Sequence, residues 1–144
     1  MWPQTATCGS GSRVMTIAAW TLLVAFLLVY LPRGRAIRGA IRAEGRYDIL
    51  EPRAQQARLE GKAARAQAAH QNMMEAFAPF AAAVLLNHIL PSDPLWRDGL
   101  AVTFILARLV YYPAYLHDWG YGRTAVWAIG FLAVIGLFLL PAFA

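Results

Sequence analysis

Charged residues and cysteine are both scarce in this sequence. Only 15% of the 144 residues are charged, whereas 59% are hydrophobic. Since an average soluble domain has about 25% charged residues, this chain has too little polar surface for a freely soluble globule. The single cysteine, Cys8, excludes an intrachain disulfide and has no partner for a metal site, so we predict no bound metal. The length leaves room for one domain.

The N-terminal residues lack the basic segment and the apolar core that mark a cleavable signal peptide. We therefore predict a short polar tail over residues 1–14, followed by a membrane domain over residues 15–144 whose first helix is not cleaved. Translation that starts at Met1 and translation that starts at Met15 are both compatible with this organisation.

What the sequence has instead is four long apolar stretches, each close to the length of about 20 residues that a helix needs to cross a bilayer. The predicted fold class is all-α, an integral membrane bundle of four helices. The predicted spans are residues 15–31, 63–90, 95–116 and 124–143. Pro32 and Gly34 are predicted to end the first helix. The segment Pro91–Pro94 is predicted to form a tight turn, in which Asp93 caps the third helix.

Basic residues are unevenly distributed between the connections. Nine of the 13 lie between Arg33 and Arg65, whereas the connection between the second and third spans has only Arg97. This asymmetry favours a membrane-flanking loop that contacts lipid headgroups, and we predict no nucleic-acid partner. The positive-inside rule places the first and third connections in the cytoplasm and both termini on the other side.

Polar residues inside the spans are predicted to mark a site, because an ionisable side chain near the centre of a bilayer costs about 2.5 to 3.5 kcal/mol on insertion scales. They form one stripe on each of two helices, at spacings that keep each stripe on one side of its helix. The stripes are Arg65, Asn72 and Glu75 on the second helix and Arg108, Tyr111 and Tyr115 on the third. Because these helices are antiparallel neighbours, the two stripes are predicted to face each other.

The helical rise of about 1.5 Å per residue places Glu75 and Arg108 at similar depth, where they are predicted to pair. Arg65, Tyr115 and Arg123 then surround the cytoplasmic mouth of a cationic cleft, which suits a small anion with several carboxylates. An ion pair that only fixes helix register explains the same two charges, but it does not explain the additional arginines and phenols.

Other polar positions favour structural interpretations. His70 projects to a different side of its helix from Asn72 and is more typical of a solvated interfacial histidine than of a ligand, so it is a secondary site candidate. Asn87 and His88 lie at the opposite membrane face, where anchoring at the interface suffices. The residues interpreted as an aromatic belt are Trp96, Trp119 and Trp127.

Two segments carry a family resemblance: RAQAAHQNMMEAFAPFAAAVLL from Arg65 and ARLVYYPAYLHDWGYGR from Ala107. In order and pattern they resemble helices two and three of the membrane-associated proteins in eicosanoid and glutathione metabolism, the MAPEG family. The resemblance covers roughly residues 53–143. Pro52 and Arg53, which precede the long second helix, look more like the bacterial members, and this implies a bacterial inner membrane.

The resemblance implies a homotrimer that binds glutathione between adjacent subunits near the cytoplasmic side. Carried over by position, the glutathione-binding residues are Asn72, Glu75, Arg108, Tyr111 and Tyr115. Arg65 lies one turn from Ala68, where animal members commonly carry an arginine, and is implied to substitute for it. Arg123 is implied to be the catalytic group that stabilises the thiolate. Glutathione enters as a co-substrate, with no covalently bound cofactor.

Two functions of different classes follow. The first is a glutathione-dependent transferase or peroxidase that acts on lipophilic electrophiles by thiolate stabilisation. The second is a non-catalytic membrane scaffold or lipid-binding protein, in which the cleft holds an anionic headgroup and the loop arginines contact the membrane surface. The predicted partners are accordingly glutathione, lipophilic small molecules and membrane lipids.

Overall fold

The computed structural model describes residues 15–143, and within this range every regular element is helical. In chain order the helices are α1 (Ile17–Glu44), α2 (Pro52–Ala57), α3 (Gly61–Ile89), α4 (Pro94–Leu116) and α5 (Tyr121–Leu139), and a 3₁₀ turn follows over Leu140–Phe143. The predicted polar tail and Cys8 lie outside the described residues, and so does the choice between the two start positions.

Three of these elements are long and apolar enough to cross a membrane, namely α1, α4 and the segment Tyr121–Phe143. This finding fits an integral membrane protein. α3 is also long, at 29 residues, but Arg65, His70 and Glu75 make it more polar than the others. The described part of the chain is therefore all-helical with three candidate spans, and the predicted crossing by α3 is not shown by length and composition.

The long helices run antiparallel to their sequence neighbours. At one end of the bundle, Thr16 precedes α1 and bonds His88 near the end of α3, with Oγ1 and Nε2 2.8 Å apart. At the other end, Ala36, Ala66 and Leu116 from α1, α3 and α4 form one buried cluster. The α3–α4 hairpin that the sequence predicted is therefore present, and α1 packs alongside it.

The main apolar core lies in the half of the bundle nearer the α3–α4 turn. The rings of Phe80 and Phe104 are 0% and 2% exposed, and they stack with their centroids 3.9 Å apart and their planes within 9°. Val84 and Leu137 belong to the same buried cluster. This core fixes how α3, α4 and α5 are rotated about their axes, and so it positions the polar residues one to two turns away.

Two polar side chains near the α3–α4 turn bond backbone groups of the bundle. Asp93 caps α4 as predicted, because its Oδ1 accepts hydrogen bonds from two backbone N–H groups of the first turn at 2.9 and 3.2 Å. Asn87 is 2% exposed, and its Nδ2 donates to the carbonyl oxygens of Ala83 and Leu137 at 2.8 and 2.6 Å. Because this amide joins α3 to α5 inside the bundle, the prediction that Asn87 anchors at the membrane interface is wrong.

α1 continues through the proline that was predicted to end it. Pro32 lies inside the helix and is buried, and α1 continues to Glu44, after which Gly45 caps it with a left-handed φ of 76°. The predicted helix end at Pro32 and Gly34 is therefore wrong. A proline inside a helix costs about 3 kcal/mol because it removes a backbone hydrogen bond. Beyond the proline, Ala36 packs against Ala66 of α3, and this contact helps to offset that cost.

The connection between α1 and α3 is folded against the helices rather than solvated throughout. Gln55 of α2 is 1% exposed, and its side chain bonds the carboxylate of Glu44, the carbonyl of Arg46 and the N–H of Asp48 at 3.1, 2.8 and 2.9 Å. Two backbone N–H groups that follow Asp48 donate to its carboxylate and lower its pKa. Arg58 pairs with Glu44, with Nε and Oε1 3.0 Å apart. Headgroup contact stays a prediction for the other loop arginines.

Close packing of α1 on α3 depends on Gly39. A Cβ atom at position 39 would overlap the side chain of Ala63. We expect Gly39→Ala to lower the free energy of unfolding by about 1 to 3 kcal/mol, because overpacking pushes the helices apart. Thermal unfolding of the detergent-solubilised protein measures this change. Gly34→Ala is the matched control, since a Cβ there meets nothing within 4 Å, and equal stability of the two variants would contradict the close packing.

Candidate functional site

The two polar stripes meet at Asn72 and Arg108. Nη1 of Arg108 donates to Oδ1 of Asn72 at 3.2 Å. Arg108 is 3% exposed, and its guanidinium carbon lies 5.0 Å from the ring centroid of Phe104 and 5.3 Å from that of Tyr111. The aromatic faces attract the cation electrostatically and hold it inside the bundle. The stripes on α3 and α4 therefore face each other.

The predicted ion pair between Glu75 and Arg108 is not formed. Within residues 15–143 the ion pairs are Arg58 with Glu44 and Arg97 with Asp98. Glu75 is exposed on α3, whereas Arg108 is buried and bonds a neutral amide. The physical reason is that burying both charges as a pair would cost desolvation of each, whereas Arg108 is held by a neutral amide and two aromatic rings. The two side chains nevertheless line the same cavity.

A polar cavity of about 250 Å³ lies between α3, α4 and α5. Its lining residues are Asn72, Tyr111, Tyr115, Arg123, Thr124 and Trp127. The guanidinium carbon of Arg123 lies 4.5 Å from the ring centroid of Tyr115, whose ring meets that of Tyr111 edge-on at 5.5 Å. Arg123 is the one charged side chain among these described lining residues, so the cavity is cationic.

Arg123 belongs to the first turn of α5, and this location adds to the positive potential. Gly120 precedes the helix with a φ of 44°, a conformation that other residues rarely adopt, and no side chain caps the helix start. Free backbone N–H groups at a helix N-terminus favour an anion. The sequence placed Arg123 near Tyr115 at the mouth of the predicted cleft, and in the structure its guanidinium lies over the ring of Tyr115.

An aromatic cavity of about 190 Å³ adjoins the polar cavity and shares Asn72 and Trp127 with it. Its lining residues are Asn72, Glu75, Ala76, Pro79, Phe104, Arg108, Trp127, Phe131 and Val134. Trp127 and Phe131 stack with centroids 5.1 Å apart and planes within 9°, so one side of the cavity is aromatic. Sequence reasoning missed this stacked pair because it assigned Trp127 to a membrane belt. The spacing of four residues on α5 was the available signal.

A larger groove of about 830 Å³ lies on the other side of α3, against α1 and α2. Tyr30, Arg33, Arg53 and Glu75 are among its lining residues, and so is His70. His70 is 8% exposed, and its Nδ1 lies 2.7 Å from a backbone carbonyl oxygen of α1. The interpretation of His70 as a solvated histidine is therefore wrong. It also lies apart from the polar cavity, on the side of α3 that its helical position predicted.

Arg65 lies at the same end of the bundle as Arg123 but lines none of these three cavities. Its Nε donates to the carbonyl oxygen of Leu116 at 3.2 Å. This bond satisfies a carbonyl at the end of α4, where helices leave such groups without an intrahelical partner. Within this chain Arg65 therefore joins α3 to α4. For the part of the chain that the structure describes, no cluster of three or more metal-ligating side chains is found.

Comparison with known proteins gives one match, to a family of membrane proteins. A family model described as MAPEG family matches residues 14–143. No curated protein and no solved structure matches the chain. The family match covers α1 to α5 and every residue of the polar and aromatic cavities. Because it extends over nearly the whole chain, the match shows that this protein, whose described elements are all helices, belongs to the MAPEG family.

Proposed function

We propose that the protein is a membrane-bound, glutathione-dependent transferase or peroxidase that acts on lipophilic electrophiles. The observation that carries this proposal is the polar cavity, in which Arg123, Tyr111, Tyr115 and Asn72 converge. Its cationic and hydrogen-bonding lining suits a small anionic peptide. The adjoining aromatic cavity offers a lipophilic second substrate a place next to the thiol.

Arg123 is the group to which we assign thiolate stabilisation. A free thiol has a pKa of about 8.5, so only a few per cent is nucleophilic thiolate at neutral pH. A nearby cation and a helix N-terminus both lower a thiol pKa. Arg123 provides the first, and the start of α5 provides the second. The activated sulfur of glutathione, rather than a protein side chain, then attacks the electrophile.

The remaining predicted ligands line different cavities on the two sides of α3. Asn72, Tyr111 and Tyr115 are assigned to glutathione because they line the polar cavity. Glu75 lines both the aromatic cavity and the large groove, and its carboxylate is assigned to the glutathione amino group. His70 lines only the groove on the opposite face of α3. In the homotrimer that we infer from the family, this groove faces a neighbouring subunit.

α3 is proposed to cross the membrane as a fourth span. It contacts α1, α4 and α5, and the polar side chains of Asn72 and Asn87 are turned toward these helices rather than outward. A polar group inside a bilayer is tolerated when protein surrounds it. The arginine-rich connection between α1 and α3 then lies in the cytoplasm, and the host membrane is proposed to be a bacterial inner membrane.

Calorimetric titration of the purified, detergent-solubilised protein with glutathione tests the proposal. We expect saturable binding that weakens at least about tenfold in Asn72→Ala, because loss of one hydrogen bond to a charged ligand costs about 1.5 to 3 kcal/mol. Arg42→Ala is the control for loss of a positive charge, since Arg42 is exposed in the last turn of α1. A folded protein that takes up no glutathione would contradict the proposal.

Lipid binding without catalysis is the alternative, and the large groove favours it. Arg33 and Arg53 line this groove, and arginines attract anionic headgroups. In that case vesicles containing phosphatidylglycerol would bind the protein, and the binding would weaken in Arg33→Ala, while glutathione would produce no heat. The same preparation therefore separates the two functions.

A further inference from the structure

The connection between α1 and α3 presents two adjacent large apolar side chains on its outside. Ile49 is 83% exposed and Leu50 is 93% exposed, and we call this pair the apolar tip. The pair lies between the end of α1 and the start of α2, so it is not part of the lipid-facing surface of a long helix. A contiguous exposed apolar surface marks contact with a partner or with a membrane.

The apolar tip is held in a fixed shape by polar contacts beneath it. The carboxylate of Asp48 accepts hydrogen bonds from the backbone N–H groups of Leu50 and Glu51 at 2.9 and 3.0 Å. The N–H of Asp48 in turn donates to the side chain of Gln55, which is 1% exposed, at 2.9 Å. Because the loop is already ordered, binding through the tip costs little further conformational entropy.

The connection folds back along α1 toward the apolar part of that helix. Gly45 ends the helix with a left-handed φ of 76°, and beyond it Nη2 of Arg33 donates to the hydroxyl of Tyr47 at 3.1 Å. Pro52 lines the same groove as Tyr30, which belongs to the apolar stretch of α1. The apolar tip lies between Tyr47 and Pro52 in the sequence. It is therefore held near the level at which the apolar stretch of α1 ends.

The positive charge of the chain is concentrated around the apolar tip. Residues 33–65 carry nine basic and four acidic side chains, a net charge of +5, which equals the net charge of the whole chain. Arg46 and Arg53 flank the tip, are exposed, and take part in neither ion pair found among residues 15–143. Anionic headgroups attract such residues, whereas the same surface of a second copy repels them. The charge therefore favours a lipid partner.

We propose that the apolar tip inserts into the membrane leaflet that borders this end of the bundle, where Arg46 and Arg53 bind anionic phospholipid headgroups. The side chains of Ile49 and Leu50 then leave water for the boundary between headgroups and acyl chains, which is favourable in proportion to the apolar area removed from water. The arginines stay at the level of the phosphates. The inference is independent of the proposed function, because it uses no residue of the polar or the aromatic cavity.

A spin label measures the depth of the apolar tip directly. Full-length protein with Leu50→Cys in a Cys8→Ser background is labelled and placed in nanodiscs that contain phosphatidylglycerol. We expect the label to collide more with oxygen, which dissolves among acyl chains, than with a water-soluble nickel complex. Arg42→Cys is the control position and should show the reverse order, because Arg42 is exposed in the last turn of α1.

Two outcomes of the labelling experiment would overturn the inference. In the first, the label at Leu50 meets nickel as freely as the label at Arg42, which would leave the apolar tip in water. In the second, the label at Leu50 meets neither reagent, which would show that another subunit covers it.

The second measurement needs no label and uses limited proteolysis with trypsin, which cleaves after Arg46 and Arg53. In phosphatidylglycerol nanodiscs we expect the double variant Ile49→Ser, Leu50→Ser to be cleaved about tenfold faster than the wild type, because the apolar area that holds the loop in lipid is lost. Ala57→Ser is the control, an exposed change on α2, and should stay within about twofold of the wild type.

The lipid composition tests the role of the arginines in the same assay. We expect the wild type to be cleaved faster in nanodiscs of phosphatidylcholine alone, which carry no net charge. Equal cleavage of the wild type and the double variant would overturn the insertion, and equal cleavage of the wild type in both lipids would overturn the choice of an anionic surface.

Discussion

Replacing Arg123 by alanine is expected to lower the rate of glutathione conjugation about a hundredfold, which is the usual size of the effect when one preorganised electrostatic donor is removed. Glutathione affinity should fall less, because Asn72, Tyr111 and Tyr115 still line the cavity. The difference arises because the guanidinium interacts most strongly with the thiolate, and the remaining ligands bind the rest of the peptide. Steady-state kinetics and calorimetry on the same preparation measure the two effects.

Two controls make the Arg123 result specific. Arg123→Lys keeps the positive charge and should recover part of the rate, whereas Arg42→Ala removes an exposed charge at the end of α1 and should leave kcat unchanged. Because Arg123 packs on Tyr115, thermal unfolding must accompany the kinetics to detect any structural loss. Wild-type kcat in a folded Arg123→Ala variant would show that another group activates the thiol.

Replacing Phe80 by alanine is expected to lower the free energy of unfolding by about 3 to 5 kcal/mol. Phe80 is 0% exposed and stacks on Phe104 at 3.9 Å, so its removal leaves a cavity between α3 and α4. Packing of this kind holds membrane helices together, since lipid supplies little hydrophobic drive for helix association. Chemical or thermal unfolding in detergent measures the change.

The Phe80 variant should also disturb the aromatic cavity. Phe104 loses its stacking partner, and Phe104 lies against the guanidinium of Arg108. We therefore expect a higher KM for the lipophilic electrophile in any Phe80→Ala protein that remains folded. Phe143→Ala is the control, because Phe143 is 83% exposed and should change the free energy of unfolding by less than about 0.5 kcal/mol. A loss of equal size in both variants would show that Phe80 is not central to the core.

Most of the helical organisation was predictable from the sequence, because it depends on local signals. Apolar runs and breakers located α3, α4 and α5 to within a few residues, and Asp93 marked the start of α4. The end of α1 was not predictable in this way. The local penalty of Pro32 is outweighed by contacts with α3, and these contacts join residues far apart in sequence.

The candidate site shows the same division. Helical periodicity predicted that the stripes of α3 and α4 face each other, and the bond between Asn72 and Arg108 agrees with it. Periodicity and depth do not determine side-chain conformation. For that reason the sequence gave Glu75 as the partner of Arg108, whereas the structure gives Asn72. The separation into a polar and an aromatic cavity depends on α5, whose Trp127 and Phe131 carry no charge signal in the sequence.

The ionisation of glutathione in the polar cavity is measured most directly by a pH titration of thiolate ultraviolet absorbance with the full-length protein. We expect the bound thiol to have a pKa clearly below the value of about 8.5 for a free thiol, because Arg123 and the start of α5 favour the anion. The shift should be largely lost in Arg123→Ala. Bound glutathione that ionises like free glutathione would contradict the role of the polar cavity.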